Sequence, residues 1–158
     1  MAPEKGAAGT PRPDRLSLIV YSGTFERVHY ALVLAAAAAA VGTPATLFFT
    51  MDGCRALLRA GEDGSPSWRR LPAGEGEDGE RGHPGGVVDD RYRARGVAGF
   101  DELITACAEL GVRFLVCEMG LRAKGLTGAD LRADLPLEET GVVTLLADAS
   151  ANGAMLLV

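Results

Sequence analysis

The sequence predicts an α/β protein, a three-layer α/β/α domain built on a small, mostly parallel sheet of four to five strands. Short apolar runs alternate along the chain with longer segments of helical composition and spacing. The runs are apolar at consecutive positions, as expected of strands covered on both faces by crossover helices. Right-handed crossovers then gather the carboxyl ends of the strands on one edge, where open α/β sheets bind ligands. The length of 158 residues and a hydrophobic content of 47% fit one domain with a substantial core.

Residues 1–15 carry Pro3, Pro11 and Pro13 and no apolar segment, so they read as a flexible tail and not as a signal peptide. The domain spans 16–158. Its first strand is the run 16–21, from Leu16 to Tyr21, closed by Ser22 and Gly23. The alanine-rich segment 25–41 is a helix, with Thr24 or Ser22 placed to cap it, Glu26 in its first turn and Gly42 as its stop. The alanines at 35–40 make this helix narrow enough to lie close against a sheet or another subunit.

Residues 30–51 are free of charge and match the roughly 20 residues that cross a bilayer. Gly42, Thr43 and Pro44 divide them into a helix and a second strand, 45–50, so no membrane span is expected. A short helix over 51–60 follows, with Cys54, Leu57 and Leu58 at helical spacing.

Residues 61–96 change in character, with Gly, Glu, Asp and Pro dominating, and read as a long flexible insertion, a lid or plain disorder, with few residues able to enter a core. Helical spacing returns at 100–110 through Leu103, Ala106, Cys107 and Leu110, which places Cys107 in the core, and Gly111 ends the segment. The third strand is 113–117. A short helix near Leu121 and another started by Thr127, with Asp130 at its third position, lead to Pro136. Residues 135–137 leave a further strand open. A helix over 141–151 and a strand over 154–158 complete the chain.

Composition narrows the function. A net charge of −5 argues against a nucleic-acid binder, which needs a basic surface to displace counterions from phosphate. Cys54, Cys107 and Cys117 have neither paired metal-site spacing nor a secreted disulfide pattern, and read as reduced thiols in a cytoplasm. Only His29 and His83 are available, so no metal site, no cofactor and no cysteine–histidine hydrolase is expected. His29 is expected to pack or to face a subunit interface, with one ring nitrogen hydrogen-bonded. Ser22, Gly23 and Thr24 lack the lysine of a phosphate-binding loop.

Cys117 is the most informative residue. It stands where a strand gives way to a helix-compatible stretch, so its sulfur is expected at the carboxyl end of the strand and the amino end of the helix, where unpaired N–H groups favour an anion. A cysteine ending a buried strand is also a common inert core residue. Glu118 works against a sulfur anion, and Arg122 and Lys124 would support one by folding back. Ser22 and Thr50 fall on the same sheet edge, as candidate binding residues. Cys54 lies just beyond the second strand and is a candidate relay or resolving thiol if the second and third strands are neighbours.

Val28, His29, Tyr30, Ala31 and Leu32 leading into the alanine-rich helix, then Gly42 and the run from Thr46 to Thr50, resemble the opening of the DsrE/DsrF-like family. Leu110, Gly111 and Val112, then Cys117, Glu118 and Met119 as a C-x-M cysteine, Lys124, Gly125 and Leu126, and Gly141 with Val142 are similar to a branch of that family. The resemblance implies the DsrEFH-like fold, a homo-oligomer and a sulfur-relay role with thiol or persulfide donor and acceptor proteins as partners. It also implies that Cys117 carries sulfane sulfur as a persulfide; Met119 and Arg122, in the helix-compatible stretch after it, are further candidate binding residues. The long insertion and the absence of a second cysteine motif near the C-terminus depart from that family. The competing expectation is a non-catalytic α/β oligomerisation or small-ligand-binding module whose cysteines are inert.

Overall fold

The computed structural model describes residues 11–74 and 81–158. Among them, five strands, β1 (Leu16–Val20), β2 (Ala45–Phe49), β3 (Arg113–Cys117), β4 (Leu137–Thr140) and β5 (Ala154–Leu157), form one all-parallel sheet in the order β4-β3-β2-β1-β5. Helices α1 (Phe25–Ala40), α2 (Gly85–Ala94), α3 (Phe100–Glu109), α4 (Glu118–Ala123) and α5 (Val142–Asp148) flank it. The fold is α/β in three layers, as the alternation of elements predicts.

The chain steps from β1 to β4 in one direction and then returns across the whole sheet to β5. Handedness therefore sends the last connection over the opposite face from the first three. Alternate residues divide accordingly. Leu18, Val20, Leu47, Phe49, Phe114 and Val116 join Val28 and Leu32 of α1 and Phe100 and Ile104 of α3 in the main core. Ile19, Phe48, Leu115 and Cys117 face the other way and meet Leu145 of α5. Helix α1 buries Phe25, Val28, Leu32 and Ala35, one stripe at helical spacing, and Gly42 at φ 82° lets the chain turn off its end.

Several expectations are corrected. The segment 61–96 does enter the core where it is described: a 3-10 helix (Ser67–Arg70) and α2 lie there, and Trp68, Leu71, Ala73 and Val88 are buried. Trp68 stacks on Phe100 at 4.5 Å, and its Nε1–H donates to Asp101 at 2.9 Å. Asp89 accepts the Phe100 N–H at 2.7 Å, tying α2 to the start of α3, although burial pushes its carboxyl above the ordinary value. A few apolar anchors suffice to dock a glycine- and glutamate-rich segment, because one buried indole removes as much surface from water as several small residues. The rest of that insertion, residues 75–80, lies outside the described residues, as does most of the expected tail, residues 1–10. The described end of that tail is held to the body, with Asp14 N donating to Asn152 O at 3.2 Å.

Residues 51–57 form a 3-10 helix and not an α-helix. The strand left open near 135–137 is β4, and the last helix ends at Asp148, short of 151. Among the described residues no helix is long and apolar enough to cross a membrane.

Candidate functional site

The carboxyl ends of β1, β2 and β3 are locked together by glycines. Gly53, in the 3-10 helix after β2, donates its N–H to Tyr21 O at 3.2 Å and sits so close to β1 that a Cβ would lie 2.0 Å from Val20 O. Gly120, in α4 after β3, approaches β2 as closely: a Cβ there would lie 2.6 Å from both Met51 N and Thr50 Oγ1. Between them Met51 takes a φ of 50°, the left-handed region that costs a side chain energy and that surrounding contacts must enforce. The chain leaves β2 through this turn, so Cys54 returns over the sheet edge toward β3.

Cys117 occupies the predicted junction. It ends β3 and caps α4, its Sγ accepting the Gly120 N–H at 3.4 Å. The sulfur is not open to solvent at that edge: the residue is only 1% exposed, enclosed on the second face with Phe48, Leu115 and Leu145. Helix α5 is the roof. The Thr140 hydroxyl donates to Thr144 at 2.6 Å at one end of that helix. At the other end Asp148 accepts from Thr46 at 2.5 Å and from Arg113 at 2.7 Å, with Arg15 at 3.6 Å.

Cys54 is fully buried, and its proximity to Cys117 has an electrostatic consequence. Burial first, then the charge of a Cys117 thiolate, push the Cys54 thiol up to about 12. It is therefore a protonated thiol at neutral pH and not a ready attacking thiolate. Cys107 behaves as the core residue its spacing predicts. Its Sγ–H donates to Leu32 O at 3.5 Å, and burial raises its thiol to about 11. All three cysteines are free.

The remaining candidates do not converge on Cys117. The Ser22 hydroxyl bonds Thr24 at 3.1 Å, and Thr24 N donates to it at 3.2 Å. Thr50 is buried against Gly120. Met119, at 62% exposure, points outward beside the site. The cations that could have favoured a sulfur anion are occupied by acids: Arg122 pairs with Glu118 at 3.7 Å and Lys124 with Asp52 at 3.1 Å. His29 packs as expected, its Nε2 at 2.8 Å from Ala98 O. Among the described residues no group of three or more His, Cys, Asp or Glu side chains is arranged to hold a metal ion.

Sequence reasoning missed Gly53, Gly120, Leu145 and Asp148 as parts of the site. The glycines had a readable signal, since Gly53 and Gly120 each follow a strand by a few residues, a mark of close backbone approach. Leu145 and Asp148 had none, because nothing local tells which face a distant helix will cover.

No known family model matches the chain, and no curated protein matches it in sequence. Its fold is similar to a solved structure from Methanobacterium thermoautotrophicum, the protein of unknown function MTH1491. The TM-score is 0.52 at 16% identity, over 91% of this chain and 98% of that one. At that identity the likeness establishes the α/β architecture of nearly the whole chain and nothing about its chemistry.

Proposed function

We propose that this chain is a sulfur-relay protein in which Cys117 accepts sulfane sulfur as a persulfide and hands it to a second thiol. The observation that carries this reading is the place of the Cys117 sulfur, at the carboxyl edge of a parallel sheet with the Gly120 N–H donated to it. A backbone donor aimed at sulfur stabilises negative charge there without a metal or a histidine. The resemblance of the Cys117 to Met119 segment to the C-x-M branch of DsrE-like proteins supports the same assignment.

In the loading step the Cys117 thiolate attacks the outer sulfur of a donor cysteine persulfide. The donor's S–S bond breaks, its inner sulfur leaves as a thiolate, and a new S–S bond forms on Cys117. An acceptor thiolate then attacks that outer sulfur and releases Cys117. Each exchange is isoelectronic and needs no oxidant. The protein is a carrier more than a turnover enzyme, its partners are thiol or persulfide proteins, and a reducing cytoplasm keeps its thiols free. Loading requires local opening beside Cys117, through α5 or the turn at 118–121, and a closed, dry site then shields the bound sulfur between transfers.

A non-catalytic oligomerisation or ligand-binding module is the second reading, favoured by the burial of all three thiols. Mass spectrometry after incubation with a persulfide donor separates the two. The relay reading expects a gain of about 32 Da, one sulfur, on Cys117 and its loss in Cys117→Ser. A thiol left unmodified under conditions that load an authentic carrier establishes the scaffold instead.

A further inference from the structure

The order of the sheet reverses between β1 and β5, since β1 leads on toward β2 while β5 is reached from the far edge by way of α5. Outside the carboxyl ends of the strands at such a point, open α/β sheets take up ligands. The point is separate from Cys117, which ends β3 on the far side of β2. Here Val158 O, just past β5, accepts the N–H groups of Tyr21 and Ser22 at 3.0 and 3.1 Å, and α1 starts shortly afterwards at Phe25.

An open cleft of about 600 Å³ borders this point, within the size range of small-molecule sites. Glu26, Tyr30 and Val33 line it from a single side of α1, and Tyr92, Val97 and Val158 line it from α2, from the turn after α2 and from the end of β5. The lining is mainly apolar and aromatic. Tyr92 stands edge-on to His29 with ring centroids 5.1 Å apart, and His29 is fixed in turn by its Nε2 at 2.8 Å from Ala98 O. A wall held in this way needs little ordering when a ligand enters.

Glu26 supplies the polar feature. Its Oε2 accepts the Gly74 N–H at 3.3 Å, whereas its Oε1 is buried and meets no hydrogen-bond donor among the described residues. A buried acceptor left without a donor costs free energy, so such an oxygen in a folded chain calls for a reason. We propose that this cleft binds a small molecule with an apolar body and a primary ammonium group, the ammonium donating to the Glu26 carboxylate. Tyrosine rings attract cations to their faces, and the net charge of −5 draws cations toward the protein. The other charged residue of the lining is the exposed Arg27, whose guanidinium suits a carboxylate. The ammonium therefore has two sources, a plain amine or the α-amino group of an apolar amino acid. The proposal stands whether or not Cys117 carries sulfur.

Ligand-observed NMR with phenethylamine, free phenylalanine, phenethyl alcohol and hydrocinnamate tests it. The amine should bind about 10-fold or more tightly than the alcohol of the same shape, as a charge-assisted hydrogen bond requires, and the acid least of the three. Phenylalanine binding more tightly than phenethylamine identifies an amino acid as the source, and weaker binding identifies a plain amine. Glu26→Gln, close in shape, should bring the amine down to the level of the alcohol. Tyr30→Ala, at an exposed position, should weaken amine and alcohol together. Neither the amine nor phenylalanine binding at millimolar concentration, the alcohol binding as tightly as the amine, or an affinity indifferent to Glu26→Gln overturns the proposal.

Discussion

At the scale of single residues, the site depends on what is absent from Gly120. An alanine at an ordinary helix position stabilises by about 1 kcal/mol relative to glycine. At 120 the added carbon would meet Met51 N and Thr50 Oγ1 at 2.6 Å, and a backbone atom cannot step aside as a flexible side chain can. Gly120→Ala should therefore destabilise the protein, by about 1–3 kcal/mol as overpacking does, read as a lower urea midpoint. Cys117 should become more reactive toward alkylating reagents in the same variant, because displacing α4 removes the hydrogen bond and the cover together. Trp68 is the opposite case, a residue whose side chain does the holding. Trp68→Ala should cost about 3–5 kcal/mol and remove exchange protection from α2, since the indole joins the Ser67–Arg70 turn to Phe100 and Asp101.

At the scale of elements, α5 is held by its ends more than by its packing. Burial alone would raise the Asp148 carboxyl, but hydrogen bonds from Thr46 and Arg113 and the charges of Arg15 and Arg113 outweigh it and hold the group below its ordinary value. A depressed native value stabilises the folded state above the unfolded aspartate value of about 3.9, and that contribution is lost as pH falls through the lower native value. Urea titrations should show this loss on the acid side of pH 4. Asp148→Asn should remove that part of the pH dependence and cost about 1–3 kcal/mol at neutral pH, since Arg15 loses its carboxylate partner and Arg113 keeps only Glu138. Exchange protection of Val142–Asp148 should fall first, followed by faster alkylation of Cys117.

At the scale of the whole molecule, α1, α3 and four strands were legible because each carries its pattern locally: Phe25, Val28 and Leu32 at helical spacing, and largely apolar runs at β1, β2, β3 and β5. Strand β4 was not, since Leu137, Glu138, Glu139 and Thr140 lie at the sheet edge and show the mixed polarity of a half-solvated strand. The docked part of 61–96 was hidden for a related reason. Trp68 and Val88 are separated by glycines and acids, so no window around either looks apolar.

The order of residues alone determined the class of fold and the place of Cys117 at a strand-to-helix junction, because both follow from periodicity and from where apolar runs stop. Only the folded chain decided that this sulfur lies under α5, that Arg122 and Lys124 are spent on Glu118 and Asp52, and that edge strand β5 is left largely exposed. Those outcomes arise from contacts between residues tens of positions apart, whose geometry is set by sheet order and crossover hand and by no local pattern.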